Sequence, residues 1–395
     1  MHSHLAALLS LLWLLVVCEA CPLGNHATAY SPLPNFNQTL FRRNIGTGGY
    51  DAPSASELFS IGSTPGGCSS QSAIIDDWVK EAILLHDAVE TAYSDYKSDL
   101  GLRALWSVYM GIEFNIDGTL LESDTVELRW GSIGGRISDV SQFLAGAGLT
   151  DAKTSSPPWL FCSADAGKYI PFDDMVQDEN GEYIVFEVDE TGEIPTDYLT
   201  VGQVFPSVKN SGNGKAFFMN AFNGYNFDYS SFDALCDKPG RYAVTAFPTQ
   251  ATNPGYEEIT FAAVDRNVLL CPKTFAPGDG EWHSYSSLAD LMTAENYPTV
   301  DDTGLSLDRV MPLGTTLYHE LYHLGDAAGT TRDPYYKIVD VLRAAGNKAV
   351  DIPNNPESFV FFAVAVYLYL NPPEGKEAVL YLGGFPGSIT WIKAS

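Results

Sequence analysis

The stretch from Thr315 to Leu324, TTLYHELYHL, leaves this chain little freedom in what it can become. It carries His319, Glu320 and His323 as an H-E-x-x-H pattern. On an α-helix, residues four apart sit about 40° apart around the axis and one turn along it, so both imidazoles leave the same face. Two neutral ring nitrogens placed that way can grip one metal ion, most often zinc. Glu320 then lies beside the position left for water, where it can take a proton. Leu317, Leu321 and Leu324 supply the apolar face that buries such a helix. The bland alternative is a helix whose two histidines are merely exposed or satisfied in the core. The chain has only seven histidines, which makes this spacing uncommon by chance.

The rest of the chain says where such a helix would work. Its 395 residues leave room for one large domain or two ordinary ones, and 45% hydrophobic residues suffice for a packed core. His2 and His4 precede an apolar run from Leu5 to Val17, which ends in Cys18-Glu19-Ala20. Residues 1–20 read as a secretory signal peptide cleaved after Ala20. That run, and the later SFVFFAVAVYLYL from Ser358 to Leu370, both fall short of the ~20 residues a membrane span needs. The later run reads as a buried helix. The mature protein is expected to be secreted, soluble and monomeric. A formal net charge of -27 makes nucleic acid and anionic membranes poor partners.

With Cys18 removed, Cys21, Cys68, Cys162, Cys236 and Cys271 remain. In an oxidising compartment two disulfides and one free thiol is the simplest count, and no CxxC spacing points to cysteine-bound zinc. Asn37-Gln38-Thr39 is a glycosylation sequon.

Taken in order, residues 21–67 are rich in Gly, Pro, Ser and Asn and read as an N-terminal arm or pro-segment, with Arg42-Arg43 either a dibasic processing site or a plain surface pair. Ile75, Trp78, Ala82, Leu85, Val89, Ala92 and Tyr96 predict a long helix capped by Ser70 or Ser72. His86 lies within it and reads as a structural or surface histidine. A second helix or a helix–strand junction is expected over Leu102–Ile112.

Residues 113–265 have a β-like texture, read as an insertion in a domain spanning 68–395. Its clearest strands are Tyr183–Phe186, Lys215–Phe218, Tyr242–Phe247 and Ile259–Val264. Its many acids read as a solvated face. Asn267–Pro272 reads as a further strand, either an edge that could pair with an extended peptide or an ordinary core strand. A short helix over Ser287–Met292 precedes the metal helix, and a last strand is expected over Ile389–Ile392.

Two histidines need a third protein ligand. No histidine follows His323, so a carboxylate from Asp326, Asp333, Asp340 or Glu357 is expected; His283 is an upstream alternative. At this point the chain resembles a known family. HELYHL followed by Gly329-Thr330-Thr331-Arg332-Asp333-Pro334-Tyr335-Tyr336 is similar to the aspzincins, the deuterolysin and peptidyl-Lys metalloendopeptidases. Asn354-Asn355-Pro356-Glu357-Ser358 resembles a second stretch of that family.

The resemblance implies an α+β, zincin-like fold with one Zn2+ per chain held by His319, His323 and Asp333. It implies Glu320 as general base, Tyr336 as the donor to the oxyanion (with Tyr322 and Tyr335 as alternates), and protein or peptide substrates. It places Glu357 in the pocket that selects a basic residue after the cut, although Val360 stands where lysine-specific members carry a second acid. The contrasting reading is a secreted binding or adhesion protein with a vestigial metal site, its functional surface the acidic, aromatic-rich middle.

Overall fold

Apolar residues three and four apart after Cys68 form the longest helix, α1, Ser72–Asp95, with Ile75, Trp78, Ala82, Leu85, Val89 and Ala92 on its buried stripe. The computed structural model describes residues 52–388 apart from 153, 192–194, 231, 248–255, 257–258, 260, 262–265, 277–283, 303 and 327. The N-cap of α1 is Gln71, with no side-chain capping bond, rather than Ser70 or Ser72. The turn Ser69–Gln71 leads into the helix and supplies the start that a capping serine would have marked. Helix α2, Leu100–Met110, follows, opened by the Asp99 carboxylate, which accepts the Leu102 N–H.

The sequence reading missed α3, Asp124–Leu144, which lies inside the stretch taken for β structure. Its start is well marked, because Ser123 accepts the Val126 N–H, and Asp124 and Glu127 sit in the first turn. Val126, Trp130, Ile133, Ile137, Val140 and Leu144 also recur at four and three, but Gly131, Gly134 and Gly135 interrupt the pattern. Gly134 is required by packing: a Cβ there would meet the Tyr93 hydroxyl of α1 at 2.4 Å.

Three further helices complete this half: α4, Thr315–Gly325; α5, Ile338–Gly346; and α6, Pro356–Leu370. Helix α6 is apolar on nearly every side and is buried accordingly, as its sequence implied. Helix α4 packs among α1, α3 and α6, and every one of its residues except His323 is buried. The buried guanidinium of Arg129 on α3 donates to the carbonyls of Gly111 and Lys348, joining the ends of α2 and α5. Those carbonyls lie past the last helical turns and need such donors.

The strands are short: β1 (Trp159–Phe161), β2 (Gly167–Ile170), β3 (Val185–Val188), β4 (Pro195–Tyr198), β5 (Lys215–Met219), β6 (Gly224–Asp228), β7 (Ala243–Ala246) and β8 (Asn267–Leu270). They form a β2-β5-β6 sheet, a β3-β4 ribbon and a sheet of order β1-β8-β7, so the fold is mixed α+β with small sheets. In the last sheet β8 runs parallel to β1 and antiparallel to β7. The Asn267–Pro272 strand is therefore central, with both edges occupied; β1 and β7 are the outer strands, and Ser60 bridges to Trp159 on β1.

Two disulfides form, as the cysteine count implied: Cys68–Cys162 ties the start of α1 to the end of β1, and Cys236–Cys271 ties the chain before β7 to the end of β8. Residues 52–67, assigned to the arm, partly join the core through Ala55, Leu58 and Phe59. The leader, Cys21, the sequon, Arg42-Arg43, His283 and Ile389–Ile392 lie outside the described residues, as does most of Ile259–Val264. No helix among the described residues is long and apolar enough to cross a membrane.

Candidate metal centre

His319 and His323 leave one face of α4 as their spacing requires, with ring centroids 5.1 Å apart. After α4 the chain turns back through Gly329, whose φ of +58 suits a residue without a side chain, and brings Asp333 over the two rings. Asp333 Oδ1 lies 3.2 Å from His319 Nε2 and 3.0 Å from His323 Nε2. Among the described residues, His319, His323 and Asp333 form the group of potential ligand atoms close enough to hold a metal ion. Of the four carboxylates open as third ligand, Asp333 is the one brought to the histidines' Nε2 atoms.

Each ring is held from behind. His319 Nδ1–H donates to Glu357 Oε2 at 2.8 Å, and His323 Nδ1 meets the Thr331 hydroxyl at 2.9 Å. A carboxylate can only accept, so Nδ1 carries a proton towards Glu357, and Nε2, turned towards Asp333, is the atom that would give up its proton to a metal ion. Partners of this kind orient metal-binding imidazoles and raise their basicity. Glu357, expected in a substrate pocket, is buried and bonded to His319, so its carboxylate acts on the ring.

Asp326 is a strut. It accepts the Thr331 N–H and pairs with Arg136 Nη1 at 2.7 Å. Arg136 also donates to the Thr330 hydroxyl and to Asn354 Oδ1. One guanidinium on α3 thus braces both the loop that supports His323 and the segment before Glu357. Asp340 pairs with Arg343 on α5.

Glu320 points to the sheet, where the Thr245 hydroxyl of β7 donates to its Oε2 at 2.7 Å. Tyr336 stacks on His319 with centroids 6.4 Å apart and is 54% exposed, so its ring forms part of the rim. Burial of its hydroxyl end, the charge of Asp333 and a hydrogen bond to it hold the phenol well above its ordinary pKa, in the protonated, donating form. The alternates are engaged elsewhere. The Tyr322 hydroxyl bonds that of Tyr318 while its ring stacks on Phe359, and the Tyr335 hydroxyl donates to Asp351. Of the two readings of His86, the structural one holds: it is buried and bonded through Nδ1 to the hydroxyl of Tyr318 on α4.

The electrostatics favour a cation. Burial disfavours charge on His319, but bonds to Asp333 and Glu357 outweigh it and raise its pKa well above the usual value. Burial also opposes a charged Asp333, yet the two imidazoles hold it well below the ordinary range. Glu357 is pushed up by burial and further by the charges of Asp333 and Glu320, with His319 opposing. Three carboxylates around two imidazoles are satisfied by positive charge between them, as a proton or as a metal ion. Two imidazole nitrogens with one carboxylate and an open side suit a divalent ion with tetrahedral habit, so the residues fit zinc.

No protein-family model matches the chain, and no solved structure matches it. Over 125 residues the chain is 39% identical to a protein named Non-secreted LysM effector LysM17 from Penicillium expansum. That match covers 31% of this chain and only 16% of the relative's length.

Arg136, Thr331 and Thr245 were not singled out in the sequence. Thr331 sits in the Gly329–Tyr336 stretch that drew attention, whereas Arg136 and Thr245 carry no local signal at all.

Proposed function

We propose that the chain is a secreted, zincin-like zinc endopeptidase of the aspzincin type. The observation that carries this reading is the joining of a His-His-Asp cluster to a glutamate on the same helix, held by an antiparallel edge strand. One Zn2+ bound by His319, His323 and Asp333 supplies the Lewis acidity that makes water a nucleophile near neutral pH.

The chain's own residues do the rest. An extended peptide pairs with the outer edge of β7, and its scissile carbonyl comes to lie beside His319. Glu320 removes the proton from the attacking water and delivers it to the departing amine. Tyr336, held protonated, donates to the oxygen on which negative charge develops. Glu357 keeps His319 in the tautomer and orientation the cluster needs. The apolar leader and the two disulfides support secretion.

The test is mass spectrometry of an unfolded protein incubated with the purified chain. Cuts that vanish with a zinc chelator and in Glu320→Gln are expected, and the residue after each cut shows whether a basic side chain is preferred. One bound zinc per chain with no cuts would sink the peptidase.

A second reading, a binding or adhesion protein, draws on the similarity to a protein named as an effector and on the exposed apolar ribbon of Tyr183, Val185, Phe186 and Val188. That outcome of the digest would favour it.

A further inference from the structure

We propose that Thr245 is a positioning residue that joins substrate docking on β7 to the orientation of Glu320; this rests on the peptidase reading. Ala243, Val244, Thr245 and Ala246 lie opposite Leu270, Leu269, Val268 and Asn267. Opposed residues in an antiparallel ladder alternate between hydrogen-bonded and non-hydrogen-bonded pairs. The Tyr242 carbonyl accepts the Cys271 N–H at 2.8 Å. The pair before Ala243–Leu270 is therefore a bonded one, and the next bonded pairs fall at Val244 and Ala246. Ala243 and Thr245 consequently turn their N–H and C=O away from β8, to the side where no described strand pairs with β7.

Side chains alternate as well. Val244 and Ala246 line a cavity on one face of the sheet, and Thr245 emerges on the other face, against α4. Its hydroxyl has two acceptors in reach, Glu320 Oε2 at 2.7 Å and the Glu320 carbonyl at 3.3 Å. A hydroxyl has one proton, and the closer, charged oxygen takes it. Oε2 is thereby held, and Oε1 is the oxygen left to exchange a proton. A single residue thus offers its backbone to an incoming strand and its side chain to the base. A substrate strand that pairs there sits in a fixed place relative to Glu320.

The test compares Thr245→Val, Thr245→Ser and Ala243→Pro in the full chain, with bound zinc and thermal unfolding measured alongside peptide cleavage. Thr245→Val keeps the backbone and loses the proton donor. Its kcat should fall about 10- to 100-fold, the scale of a misplaced catalytic group, with KM and zinc content unchanged. Thr245→Ser should restore most of kcat. Ala243→Pro removes an outward N–H two residues before Thr245 and leaves the Thr245 hydroxyl in place, so it should raise KM about fivefold, the worth of one hydrogen bond, while sparing kcat.

An unchanged kcat in Thr245→Val, or a serine variant no better than valine, overturns the positioning role. An unchanged KM in Ala243→Pro overturns the docking half. If the wild-type chain binds one zinc and cuts nothing, the peptidase reading fails and takes this inference with it. Cuts by the wild type with an unaltered Thr245→Val sink the inference alone.

Discussion

The helices α1, α3, α4 and α6 share one continuous core, from Ile75 through Leu317 to Val366. Residues between β2 and β8 gather instead around a small core of their own, with Val176, Leu199, Phe205, Phe218, Tyr225 and Phe261 at its centre. All three candidate ligands come from the helical half, on α4 and the loop that follows it. The strands lend the site one hydroxyl, that of Thr245. The difference is instructive. His319 and His323 are fixed on a helix that packs among α1, α3 and α6, and Asp333 is brought to them by the loop that follows. Thr245, which the proposed reading ties to an arriving peptide, stands on an edge strand.

The strongest way to break this division is to loosen the β half alone. Replacing Cys236 and Cys271 together by serine opens a bridge across a separation of 35 residues, which should cost about 4 kcal/mol in chemical unfolding. Bound zinc should stay at one per chain while cleavage suffers. Zinc lost in step with cleavage would show that the halves are not separable.

The helical half can be probed through Glu81 on α1. Burial, aided by the charge of Asp77 and opposed by the Leu288 N–H, pushes its carboxyl up from 4.5 to about 7. The folded chain therefore holds this proton to a higher pH than the unfolded chain does. Stability from this group is complete below about pH 4.5, is lost as pH rises towards 7, and is flat above that, with a total loss of up to about 3 kcal/mol. Urea unfolding at pH 5 and pH 8 should show that Glu81→Gln removes the slope and stabilises the chain at the higher pH. An unchanged slope would acquit Glu81.

Asp333→Ala sharpens the comparison at the site itself. Zinc affinity should fall about a hundredfold or more in competition with a chelating dye, while Asp340→Ala leaves it alone. The smallest effect belongs to the brace. Arg136→Ala should lower zinc affinity about tenfold, since it acts through Asp326 and Thr331 on His323 rather than on the metal. No change in Arg136→Ala would reduce that chain of bonds to packing.

The metal helix, the long α1 stripe and the buried α6 were legible because each is a local repeat with the period of a helix. Helix α3 has the same period, but three glycines broke the pattern, and only the close approach of Tyr93 shows why one of them is there. The strands expected over Lys215–Phe218 and Tyr242–Phe247 match β5 and β7, that over Tyr183–Phe186 only overlaps β3, and β1, β2, β4 and β6 were not expected. Asn267–Leu270, open to reading as an edge or a core strand, proved central. Pairing depends on partners more than a hundred residues away, as with Trp159 and Asn267.

By itself the sequence determined that two imidazoles and a carboxylate would share one helical turn, because four residues make slightly more than one turn whatever surrounds them. It narrowed the third ligand to four carboxylates and counted two disulfides without pairing them. Only the tertiary structure decided that Asp333 closes the cluster, that Glu357 serves His319, and that Arg136 and Thr245 reach the site at all. Those are contacts across 10, 38, 190 and 75 residues of chain, counted from His323 to Asp333, His319 to Glu357, Arg136 to Asp326 and Thr245 to Glu320. No local pattern encodes such distances, because they are set by how helices and strands pack once the apolar faces have found one another.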